Sequence, residues 1–219
     1  MPLPMVHLAV AIRVHEMLGW KMTGEYLLGN IAPDAIHMRP GSGRSEKDAV
    51  HLNVGTLPEA EALEKVQGLL QKEYFALNGQ PTFRTGYALH LLADHFWTHW
   101  IVVIFKDKLT AGMPDSEKRA LYYRETDQVD FNLYHQVPWR PKVWNYLASS
   151  SPQDFDGLLT ANEIQKWLAR DLNWFERIKD EPRITPIFIT DAITGSFIER
   201  AAERASKFFE DFARRAITA

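Results

Sequence analysis

Apolar positions recur at helical spacing along most of the chain. Residues 6–19 run apolar with polar breaks and end at Gly19, which predicts a helix. Thr23 reads as the cap of a short helix through Leu28, stopped near Gly29. The stretch NIAPDAIHMRPGSGRSEKDAVH (30–51) reads mostly as loop, punctuated by Pro33, Pro40, Gly41 and Gly43. A helix is expected over 58–77, with Pro58 near its start and Gly79 past its end. Thr82 or Thr85 opens the next one, which runs to about Phe105. Another covers roughly 115–135 and is closed by Pro138. Over 160–179, Thr160 and Glu163 make a capping-box pattern. A last helix runs from about Thr190 to Ala216, with Ile198, Ala202, Ala205, Phe209 and Phe212 at helical spacing.

Strand signals are weak. IVVIF (101–105) favours β by propensity but continues a helical pattern, and PRITPIFI (182–189) holds two prolines. The patches at 39–45 and 148–153 read as loops within one domain. The expectation is a single all-α domain over residues 1–219, with about six to eight helices.

Composition narrows the chemistry. Net charge is -3 from 25 basic and 28 acidic side chains, with no dense basic run, so no duplex nucleic-acid partner is expected. Cysteine is absent, which removes disulfides, thiol nucleophiles and thiolate metal sites. Any metal then falls to His, Asp, Glu or backbone oxygen. The first apolar run is broken by Arg13, His15 and Glu16, and no stretch approaches the ~18 apolar residues of a membrane span. A cytoplasmic protein is the expectation.

GYALHLLADHFWTHW (86–100) concentrates the candidate chemistry. On a helix, His90 and Asp94 lie about 40° apart and share a face with Tyr87 and Trp97. His95 and His99 form a second i,i+4 pair, about 140–180° away from His90. One helix therefore cannot aim all of them at one ion. The HxxxD spacing of His90 and Asp94 suits joint metal coordination, because imidazole nitrogen and carboxylate oxygen are both good Zn²⁺ ligands. The plain alternative is a His–Asp hydrogen bond in the core. Ala88, Leu89, Leu91, Leu92 and Ala93 flank the pair, and a carboxylate so placed needs a partner. His7, Asp34, His37 and His51 supply further ligands from the first quarter of the chain. Two ions with a bridging carboxylate and a water would make a phosphoester-hydrolysing centre. A second polar group, Asp127, Asp130 and His135, reads as a direct participant or as the rim of a pocket. Phe96, Trp97 and Trp100 line a pocket or fill the core.

On these residues the chain resembles the zinc-dependent phospholipase C family, whose helical fold is shared with the S1/P1-type nucleases. PMVHLAVA (4–11), GNIAPDAIH (29–37), KDAVHL (47–52) and GYALHLLAD (86–94) carry the resemblance, in the family's order, over roughly the first hundred residues. It implies that His7, Asp34, His51, His90 and Asp94 bind zinc. It makes Asp34 the bridging carboxylate and a base toward the attacking water. It puts His51 with Asp34 and His90 at one ion, and His7 with Asp94 at another. Two departures stand out. Secreted members begin the mature chain with a metal-binding tryptophan where this chain reads MPLPM, and no HxxxE pair follows residue 94 here. The resemblance therefore implies two zinc ions and leaves a third without its ligands. For the leaving group's proton, His37, His99 and Asp130 are candidates. The implied substrate is a phosphate ester, with phospholipid or nucleotide both open; oligomeric state is not specified.

Other classes fit less well. An HD-type phosphohydrolase needs adjacent His-Asp, and only Asp94-His95 occurs, reversed. A di-iron bundle needs ExxH pairs, and the chain has none. A non-catalytic helical protein with a structural or vestigial metal site, binding a partner or lipid, is the alternative from a different class.

Overall fold

Two glycines on facing helices set the centre of the fold. In the computed structural model, which describes residues 3–71 and 80–218, helix α2 (Gly24–Ile31) crosses helix α5 (Phe83–Trp97) at near contact. A Cβ at Gly29 would overlap the Phe83 carbonyl oxygen, and one at Gly86 would overlap that of Tyr26. Only hydrogen at both positions permits this approach. Gly29 therefore lies inside α2 and does not end it, and the helix runs on past the expected stop.

Helix α1 (Pro4–Leu18) ends at Gly19 in the left-handed conformation (φ 62°) and packs on α2, α5 and the last helix. Thr23 caps α2 by accepting from the Tyr26 amide at 3.1 Å. The segment expected to be loop is largely helical: a 3₁₀ turn covers Ala32–Met38 and α3 covers Arg44–Val50. Pro33 sits in the first turn, where its missing N–H costs nothing. Helix α4 (Glu59–Gln71) starts just after Pro58; the expected stretch 72–77 and its stop at Gly79 lie outside the described residues.

Thr82 opens α5, with the Thr85 hydroxyl accepting in return from the Thr82 amide at 3.2 Å. The apolar IVVIF stretch continues it through π turns at Thr98–Val102 and Phe105–Leu109. Helix α6 is Asp115–Gln136, and α7 (Arg140–Ala148) is a helix that the sequence pattern did not announce. Helix α8 (Ala161–Trp174) carries the expected capping box, Thr160 with Glu163, but stops before 179. Helix α9 spans Asp191–Thr218 and buries Ile198, Ala202, Ala205, Phe209 and Phe212, as its pattern requires.

Among the described residues there are nine α-helices and no strand, only one isolated bridge between Phe155 and Leu159. One helical run, Phe83–Asp107, is long and apolar enough to cross a membrane, but 61% of its apolar window is buried inside the domain. It is the central helix of the core, and its polar side chains His90, Asp94 and His95 face the interior.

Candidate metal centre

Three imidazoles and two carboxylates from four segments meet beside the α2–α5 crossing. His90 and Asp94 come from α5, one turn apart. His7 comes from α1, and its ring stacks flat on that of His90, centroids 3.8 Å apart and 6° between planes. Asp34 comes from the 3₁₀ turn, and His51 from the C-terminal end of α3. Leu52 and Asn53 follow His51 with φ of 51° and 56°. Left-handed backbone is uncommon for leucine, so strain is held right beside this ligand.

The remaining geometry fixes which nitrogen two of the three imidazoles offer. His90 Nδ1 lies 2.8 Å from the Asn30 carbonyl oxygen, and His51 Nδ1 lies 2.9 Å from that of Lys47. A carbonyl only accepts, so both Nδ1 atoms carry hydrogen and both Nε2 lone pairs point elsewhere. They point at carboxylates. His51 Nε2 is 3.6 Å from Asp34 Oδ1 and 3.5 Å from Asp94 Oδ2, while His90 Nε2 is 3.7 Å from Asp94 Oδ2. His7 Nε2 is 3.5 Å from the other Asp94 oxygen, Oδ1.

These separations are too long for hydrogen bonds. They match donors around a common ion: two ligands about 2.1 Å from a tetrahedral zinc lie roughly 3.4 Å apart. His7 Nε2, His51 Nε2, His90 Nε2, Asp34 Oδ1 and Asp94 Oδ1 are all buried without a hydrogen-bond partner among the described residues. Five such ligating atoms converging in one place are an arrangement that a metal ion would satisfy. Two triads result, His7–His90–Asp94 and Asp34–His51–His90, and they share His90. Since His90 Nδ1 is engaged, its Nε2 can serve one ion only. Asp94 has an oxygen for each side.

Charge follows the same plan. Burial alone would raise the Asp34 carboxyl, but the adjacent His51 and the nearby His90 and Lys47 outweigh it and hold it well below the carboxylate range. Asp94 is held at about 2, against its burial, by His90, His7 and His51. Burial, with His7 beside it, pushes His90 down to about 3, so its Nε2 is a free lone pair at neutral pH. His51 is raised despite burial, because Asp34 and Asp94 face it. A ligating imidazole nitrogen must be unprotonated, so an ion bound there would compete with protonation of His51.

The other expected residues are placed as follows. His37 is the half-exposed neighbour of the cluster, its Nε2 3.8 Å from Asp34 Oδ1 and 3.1 Å from Lys47 Nζ. Burial and Lys47 lower its pKa. His95 and His99 meet each other at 4.4 Å on the opposite side of α5, with His95 Nδ1 at the Val54 carbonyl and His99 exposed. Asp130 accepts from the Met5 and Val6 amides at 3.2 and 3.1 Å and so caps α1. Burial pushes its pKa well up. Asp127 is half-buried and His135 is exposed. Phe96 and Trp97 fill the core, and Trp100 stacks on Phe96 under the Arg200 guanidinium.

Sequence reasoning missed the residues that frame the cluster. The Asn30 carbonyl orients His90, and no side-chain motif could announce a backbone contact. Lys47 stands four residues before His51, and that helical spacing was a usable signal for a carbonyl under the ring. From α8, Glu163 binds Arg39 through two contacts of 2.6 and 3.1 Å, which clamps α8 to the end of the 3₁₀ turn that carries Asp34. Asp171, also on α8, is buried and raised to about 8 by burial, with Asp34 among the charges that add to it. Comparison with protein-family models, curated proteins and solved structures returns no match. What stands on this geometry is an all-helical domain with two buried His/Asp clusters able to hold a metal ion.

Proposed function

We propose that the protein is a zinc-dependent phosphate-ester hydrolase, the activity implied by its resemblance to the phospholipase C family. One observation carries the reading: five buried donors, drawn from four separate segments, each aim a partnerless ligating atom at the same small region. A core would not otherwise retain two ionised carboxylates. Zinc bound there would supply a Lewis acid that activates water and offsets charge developing at phosphorus.

Asp34, His51, His90 and Asp94 Oδ2 would hold the first ion. His7 and Asp94 Oδ1 would contribute to a second, weaker one. Asp94 thus takes the bridging place that the resemblance gives to Asp34. Asp34 keeps its charge across the working pH range. Through His37 it is also the ligand carboxylate connected to the surface, and the resemblance makes it the base toward an attacking water. Of the three candidate proton donors to a leaving group, His37 alone lies beside a would-be metal ligand. A phosphodiester or related phosphate ester, lipid or nucleotide, fits this chemistry.

A structural metal in a non-catalytic protein that binds a partner or lipid is the second reading. It is favoured by the burial of the ligands, which are between 0 and 7% exposed. The experiment that separates the two starts with metal analysis of untagged protein purified without added zinc. About two ions per chain are expected, as in two-metal hydrolases. Asp34→Asn should then abolish hydrolysis of a chromogenic phosphodiester while the helical circular dichroism spectrum persists. An Asp34→Asn chain that unfolds, beside a wild type inactive on every phosphate ester, establishes the structural reading. Protein that retains no metal and binds none on addition of zinc overturns both.

A further inference from the structure

Beside the His/Asp cluster, α3 and α8 both pack on the 3₁₀ turn that carries Asp34. His37 is the half-exposed group there, and Lys47 Nζ rests against it at 3.1 Å. The Trp167 ring of α8 tilts on the other side of His37, centroids 5.8 Å apart. Its indole N–H is buried and has no acceptor among the described residues. The Arg170 guanidinium covers the Trp167 ring at 4.4 Å. Lys47 and Trp167 therefore flank one imidazole at the edge of Asp34, and Arg170, paired with Asp171 at 2.9 Å, lies behind the indole.

In the metal-free protein Lys47 lies in the attractive field of Asp34. Loading reverses that field. Two dications with Asp34 and Asp94 leave a net charge of about +2 at the centre, and Lys47 would face it across a few ångströms. An anion between them removes the conflict. An oxyanion would also give the Trp167 N–H the acceptor it lacks.

Resting on the metal-hydrolase reading, we propose that Lys47, His37 and the indole N–H of Trp167 form an oxyanion subsite beside Asp34, which takes the terminal phosphate of a dianionic phosphate monoester. His37 positions the Lys47 ammonium. A zwitterionic ester with a cationic head group is disfavoured, because its positive end would meet Lys47 and Arg170.

The test is calorimetric titration of zinc-loaded protein with inorganic phosphate, after metal content has been measured on each sample. Wild type should bind phosphate. Lys47→Met should weaken binding about tenfold or more with zinc content unchanged, as loss of one charged hydrogen bond implies. Lys47→Arg should restore binding to within a few fold, and Trp167→Phe should weaken it about fivefold. Titration with adenosine monophosphate and with phosphatidic acid vesicles then identifies the carrier, a soluble nucleotide or a lipid, by which binds more tightly than free phosphate. Zinc-loaded wild type that ignores phosphate, or Lys47→Met that binds it like wild type, overturns the subsite and leaves the metal reading standing. Protein that takes up no zinc overturns the metal reading, and the subsite falls with it.

Discussion

At Asp94 two demands meet in one side chain: one oxygen faces His7, and the other faces His51 and His90. Asp94→Asn should therefore cost both ions, whereas His7→Ala should cost only the weaker one; metal content by mass spectrometry after dialysis checks both. The alternative, equal loss in the two variants, would mean a single ion shared by all five ligands. Asp171 makes a different prediction. Its carboxyl is raised from 3.8 to about 8, chiefly by burial. The folded state thus holds a proton that the unfolded chain releases above about pH 4. Stability then falls as pH rises from about 4 to 8, and levels off beyond. Asp171→Asn cannot ionise, so metal-free variant and wild type should diverge in Tm across that window, the variant being the more stable at the alkaline end. Parallel curves would show that Asp171 titrates normally. Neither behaviour is visible in sequence, because the partners of Asp94 and the burial of Asp171 are set by the packing of separate segments.

Element boundaries were legible where chemistry is local. Thr23, Thr82 and Thr160 cap the helices that their positions suggested, and Gly19 ends α1. Gly29 was read as a stop because glycine commonly follows a helix. Its purpose is the close approach of Phe83, which depends on a helix more than fifty residues away. Gly29→Ala should force α2 and α5 apart and cost about 3 kcal/mol. Urea denaturation measures this, and a loss below ~1 kcal/mol would show that the crossing relaxes easily. The same crossing holds the Asn30 carbonyl on His90, so the variant should also bind zinc more weakly. The segment 30–51 was misread for a related reason. Pro33 occupies the first turn of the 3₁₀ segment, Pro40 and Gly41 the reversal, and Gly43 the N-cap of α3, which leaves room for both helical stretches.

For the whole molecule, an ion held by the two clusters would act as a fastener. Its ligands come from α1, the 3₁₀ turn, α3 and α5, so an ion ties together four segments that otherwise meet largely through apolar contact. At a thousandfold excess over its dissociation constant, a ligand that binds only the folded state adds about 4 kcal/mol. In a domain of this size that amounts to roughly 10 °C in Tm. Chelation should lower the melting temperature by that order and zinc should restore it; an unchanged Tm would mean that the ligands hold no ion.

Sequence by itself determined the helical class, through periodicity and caps, and it supplied the HxxxD pair, because a helix turn fixes i,i+4 neighbours without outside help. It also made His7, Asp34 and His51 candidates, through their order around that pair. Tertiary structure brings these five, which the resemblance had already grouped, within ligating reach of one another, sets Asp94 between the two triads, and places His95, His99 and Asp130 elsewhere. The physical reason is that a ligand set is a matter of distances between segments. Those distances come from helix crossings, and the tightest of them rests on two absent side chains, at Gly29 and Gly86.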